Sequence, residues 1–149
     1  MARRFCSASV AGVATGTALK TIIQLVAPAD QDVALTEWKI GFHGVNNTHE
    51  PIKVQLVRQT TAGTMSALTP RIKDGRLTGS TLRTTAQHTA TAEPTTTDIL
   101  DSWTIHPQTS GGWQWSEKTE IVIGATQRVG LIVTAANTVA CDATLDFEE

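Results

Sequence analysis

Alternation with a period of two runs through most of this chain, and no stretch sustains a 3.6-residue period over a dozen positions. Successive residues of a strand point to opposite faces, so a chain patterned this way buries its apolar side chains on pleated sheets. Leu19, Thr21, Ile23 and Leu25 stand against Lys20, Ile22, Gln24 and Val26. Both faces of that strand carry apolar groups, which places it centrally in a sandwich or under a cover on its outer side. Trp38, Ile40 and Phe42 then oppose Glu37, Lys39 and Gly41, and Ile52, Val54 and Leu56 oppose Lys53, Gln55 and Gln59. The last segment sets Val139, Cys141, Ala143, Leu145 and Phe147 against Asp142, Thr144, Asp146 and Glu148.

Weaker strands are expected at Thr81 to Thr91, Ile99 to His106, Glu120 to Gly124 and Val129 to Ala135. Turn chemistry separates them at Gly44 to Asn47, Asp74-Gly75, Ser110-Gly111-Gly112 and Gly124 to Gln127. Only Thr95 to Leu100 could hold a turn of helix. The 25 threonines fit this picture, because a β-branched side chain is stiff at χ1 and suits a pleated surface. The expectation is an all-β protein, a single β-sandwich or jelly roll of about eight strands, since closing two sheets on each other hides edges that otherwise aggregate. Residues 18–149 form this domain. Residues 1–17, small, basic at their start and without clean period, are expected to be a mostly irregular N-terminal arm.

Composition excludes several functions. A net charge of −2 gives no global field for a polyanion, so nucleic acid is not an expected partner. The apolar runs Ile22 to Ala29 and Ile121 to Ala125 fall far short of the roughly 20 residues of a membrane-spanning helix, and no membrane partner is expected. Arg3 and Arg4 precede Phe5 to Ala18 in the order of a secretory signal, but that window is rich in Ser, Ala, Gly and Thr instead of Leu, which argues against one. Cys6 and Cys141 read as small buried or unpaired residues, and the sequence leaves their pairing open.

Catalytic patterns are missing: there is no G-x-S-x-G, P-loop, G-x-G-x-x-G, H-E-x-x-H or C-x-x-C. His43, His49 and Glu50 come nearest to a metal site, but a further ligand at a strong spacing is lacking, so no metal and no cofactor are expected. Asp98 and Asp101, three apart, read as a turn residue and a solvated strand position in preference to an acid/base pair. The most informative segment is Trp103 to Trp115, where three tryptophans flank a Gly-rich loop. Trp103 is expected to fill the core, while Trp113 and Trp115 share one face by alternation and are candidate contact residues, a core or subunit contact being expected before a sugar platform.

The opening Met1-Ala2-Arg3-Arg4-Phe5, the strand Ala18 to Leu25, the run Pro51 to Thr64, the segment Thr84 to Pro94 and the Phe147-Glu148-Glu149 ending together resemble small virion proteins of tailed bacteriophages. The resemblance implies a capsid decoration, or cement, protein: non-enzymatic, commonly a homotrimer, sitting on the outer surface of a phage head and bound to the major capsid protein. Under it, Ala2, Arg3, Arg4 and Phe5 become candidate contacts, with Arg3 and Arg4 pairing with acids on the partner. Ile22 and Val26 become surplus apolar surface that symmetric association buries. The alternative is a carbohydrate-binding or host-recognition knob or tail component using Trp113 and Trp115.

Overall fold

In the computed structural model, which describes residues 3–44, 50–77 and 81–149, two antiparallel sheets pack face to face. The strands are β1 (Phe5–Ala14), β2 (Lys20–Val26), β3 (Val33–His43), β4 (Ile52–Gln59), β5 (Thr64–Leu68), β6 (Arg71–Ile72), β7 (Thr85–Ala92), β8 (Thr96–Ile105), β9 (Ser110–Gln114), β10 (Ile121–Ile123), β11 (Arg128–Thr134) and β12 (Ala140–Glu148). One sheet runs β10-β3-β12-β1-β6, with β9 also paired to β3; the other runs β5-β7-β2-β11-β4-β8. The β-sandwich expected from alternation is the fold, with twelve strands among the described residues in place of about eight. Helical structure there is limited to a 3-10 turn at Gly75–Leu77, and Thr96 to Leu100, where a helical turn was conceivable, belongs to β8.

The four additional strands are β1, β5, β6 and β9. The first corrects the expected irregular arm: residues 5–14 pair with β12 along their length, and Cys6 and Ser7 pair with β6 on the other side. Cys6, Ala8 and Val10 are buried while Ser7 and Ser9 look outward, a period of two written in small side chains. Leu145, Phe147, Trp38 and Ile40 cover the same inner face, opposite Leu25, Ile23, Leu131, Leu56 and Val54 of the second sheet.

The first of the predicted strands, β2, is both central and covered. Its outer face lies under a strap made by the two links that leave β4 and enter β8. Thr60 N donates to Thr95 O at 2.9 Å and Thr95 N to Thr61 Oγ1 at 2.8 Å, which holds the links side by side. Gln24, fully buried, donates to Gln59 Oε1 at 2.7 Å and Thr61 O at 3.2 Å. Gln59 in turn donates to Thr21 Oγ1, and Glu93 accepts from both the amide and the hydroxyl of Thr21. These bonds satisfy the buried polar groups of the strap except Gln24 Oε1, which has no hydrogen-bond partner among the described residues.

A bulge in β2 also breaks the alternation. Leu131 pairs with Ile23 but Ile132 pairs with Thr21, so Ile22 is the extra residue. Ile22 and Ile23 both join the core, and Thr21 and Gln24 both meet the strap. The expected outward position of Ile22 is therefore corrected: it has no exposed surface to offer a partner. Val26, at the strand end, is half-buried.

Candidate functional site

The aromatic residues gather at one long edge of the sandwich, where β8 closes the second sheet and β9 and β10 lie end to end along β3 of the first. The hydrophobic periodicity of β3 drives Trp38 inward until it is 1% exposed. Trp103 of β8 meets it edge-on, with ring centroids 6.0 Å apart at 68°, and Trp113 of β9 follows at 5.9 Å and 33°. The stack thus climbs from the core to the surface, since Trp103 is 37% and Trp113 is 48% exposed. Centroid spacings of this size are those of favourable aromatic pairs.

The Ser110-Gly111-Gly112 sequence, expected as a turn, is instead the start of β9, and its glycines are what let β9 lie so close. A Cβ on Gly111 would stand 2.7 Å from Ile105 Cδ1, and one on Gly112 would collide with the Trp38 carbonyl. Trp115 N donates to Thr36 O at 2.9 Å, and the half-buried Trp115 ring packs against the core. Leu100, Asp101, Trp103, Trp113 and Trp115 line a shallow recess of about 270 Å³. Ile99 and Val122, 60% and 53% exposed, lie on β8 and β10 of the same edge but on the outer faces of their sheets, since Ile99 pairs with Val57 and Val122 with Ala34, each one position off the inward Leu56 and Leu35. Trp113 and Trp115 are brought together as the alternation implied. Trp38 and Trp103 complete a surface that the sequence did not assemble, because nothing local says that β8 and β9 meet at one edge.

Asp101 has a structural partner at this edge. Its Oδ2 accepts from the buried Trp38 Nε1 at 3.1 Å and its Oδ1 from Ser102 N at 3.0 Å. Asp98 is exposed on the same strand.

The other sequence candidates lie elsewhere. Arg3 pairs with Glu148 at 3.1 Å, and Arg4 with Glu149 at 2.9 Å while also donating to Thr81 O. The acids expected on a partner are thus found within the chain. Phe5, 38% exposed, lies under the Lys73 ammonium, 4.7 Å from its ring centre. Ala2 lies outside the described residues, as does His49 of the metal reading. His43 Nε2 sits 2.8 Å from Asp142 Oδ2, and this contact with the Gly12 amide bond holds the Asp142 carboxyl below its usual range, the amide being the larger influence. Among the described residues no three His, Cys, Asp or Glu converge to hold a metal ion. Cys6 and Cys141 are both free and buried, and burial pushes their thiols up to about 11 and about 12. Among the described residues no helix is long and apolar enough to cross a membrane. Comparison of the chain with protein-family models, with curated proteins and with solved structures returns no match in any of the three.

Proposed function

We propose that this chain is a non-enzymatic structural protein of a virion, a capsid decoration module that binds the outer surface of a phage head and stabilises it through contacts between subunits. The observation that supports the reading is the aromatic edge: Trp103 and Trp113 stand half-exposed around a recess shared with Leu100 and Trp115 on a two-sheet frame. Four of the six large hydrophobic side chains exposed among the described residues lie on this one edge. Exposed tryptophans are characteristic of interaction sites, since tryptophan is enriched among the few residues that carry the binding energy of protein interfaces. A module that binds only the closed shell adds its binding free energy to the work of opening it. The N-terminal contacts expected from the resemblance give way to this edge, because Arg3 and Arg4 are already paired.

Adding the purified protein to undecorated phage heads and following their thermal disruption tests the proposal. Binding with a raised disruption temperature, weakened by Trp113→Ala, is the expected result. Heads that neither bind the protein nor gain stability overturn it. The second reading, a sugar-binding knob, draws on the recess walled by Trp103 and Trp113, whose rings could stack on a pyranose face. Glycan binding lost in Trp113→Ala would replace the first reading with this one.

A further inference from the structure

The two long edges of the sandwich carry opposite charge. The stacking of Trp38 on Trp103, and the bonds from Arg58 of β4 to Val122 O of β10, set β8 and β4 over β3 and β10. The remaining strands follow in order, so β5 and β6 share the other edge, where β1 meets β5 and β7. Along the aromatic edge, residues 96–123 hold four carboxylates, Asp98, Asp101, Glu117 and Glu120, against the single lysine Lys118. Along the opposite edge, residues 64–77 hold three cations, Arg71, Lys73 and Arg76, against the single carboxylate Asp74.

Part of the charge on both edges is engaged within the chain: Arg76 pairs with Asp74 and Lys73 with Asp146 on one, while on the other Asp101 accepts from Trp38, Arg3 reaches Glu120 at 3.9 Å and Arg58 stands opposite Asp98 in the ladder. Arg71 and Asp98 are both exposed and, among the described residues, neither has an ion pair. We infer that the acidic, aromatic edge of one chain docks head to tail on the basic edge of a second copy. The inference rests on reading the aromatic edge as a protein contact and names its first partner. A guanidinium is the cation best suited to lie over an indole face, and Arg71 presents one beside the half-buried Met65, Leu68 and Ile72. Because the two patches differ, the contact is heterologous, and repeating it closes a ring or extends a chain.

Sedimentation velocity over a wide concentration range tests this. Wild type should rise from the 15.9 kDa of one chain to at least twice that mass, and should fall back as salt is added. Trp113→Ser removes the ring from one edge, and Arg71→Glu reverses the charge on the other; each alone should sediment as a single chain. Their equimolar mixture should recover a two-chain species and nothing larger, because each variant keeps one working edge and the two altered edges repel. Asp98→Lys, which keeps every tryptophan, should also lose the association and guards against a folding defect in Trp113→Ser. Wild type that stays a single chain at every concentration, reversals without effect, or a mixture that stays single-chain overturns the inference. Single-chain wild type that still stabilises heads overturns this inference alone, whereas self-association without any effect on heads overturns only the proposed function.

Discussion

Trp38 and Asp101 tie the two sheets together at their open edge, the buried indole of β3 donating to a carboxylate of β8 at 3.1 Å. Asp101→Ala leaves that N–H without an acceptor where water has little access. The expected loss is about 1–3 kcal/mol of folding stability. Asp101→Asn keeps an acceptor oxygen and should lose less. Urea denaturation followed by tryptophan fluorescence measures both, and equal losses in the two variants would show that the bond contributes nothing.

Gly130 faces the buried Gln59 side chain on the strap side of β11. A Cβ there would lie 2.6 Å from Gln59 Cδ and closer still to Oε1, so Gly130→Ala must push Gln59 away from Thr21 and Gln24. Overpacking of this kind costs about 1–3 kcal/mol. Gln59→Ala also destabilises by breaking the same bonds, but it empties the space that the new methyl needs. The double variant should therefore be more stable than the sum of the two losses predicts, by about 0.5 kcal/mol or more. Strict additivity in denaturant titrations would place the two side chains out of contact.

Burial sets the chemistry of the thiols. Both Cys6 and Cys141 titrate above the ordinary thiol value of 9.0, so the folded state favours the protonated form more than the unfolded state does. Their stabilising contribution is whole below about pH 9 and is lost as pH rises toward 11 and 12, because only the unfolded chain readily releases these protons. A thiol reagent at pH 8 should leave both cysteines unmodified in the native protein and label both in denaturant. Replacing Cys141 by Ala should flatten the alkaline fall in melting temperature, and an unchanged slope would assign that fall to other groups.

Where the sequence pattern was legible, large side chains alternated with polar ones. Ile52, Val54 and Leu56, and again Leu145 and Phe147, are buried as their period implies. The same reading failed at Ile22, because a bulge inserts one residue and turns two neighbours inward, and period counting cannot see an insertion whose residues are all apolar. It also passed over Met65 and Ile72, since β5 and β6 are short edge strands whose polar neighbours look like loop. The aromatic edge was half legible. Trp113 and Trp115 sat on one face by spacing alone, whereas Trp38 and Trp103 joined them only through the order of strands in space, a long-range property that alternation does not encode. Asp101 showed no local sign that its partner would be an indole sixty-three positions away.

The strand missed most completely makes the sharpest prediction. An irregular arm could be cut off without harm, but β1 lies between β12 and β6 and fills the core with Cys6, Ala8, Val10 and Val13. Deleting residues 1–14 exposes the inner face and pairing edge of β12 together, with Leu145 and Phe147 losing their neighbours. Such a chain should lose near-UV circular dichroism and aggregate through its bare edge. Ala8→Pro tests the same point with one residue: Arg4 and Glu149 exchange backbone bonds, so Ala8, four positions on and opposite Leu145, stands in a bonded pair of the same ladder, and proline there removes a donor from the interior of a sheet. The cost should be about 3 kcal/mol or more, read as a fall in melting temperature. An Ala8→Pro protein that melts like wild type would return these residues to the status of an appended arm.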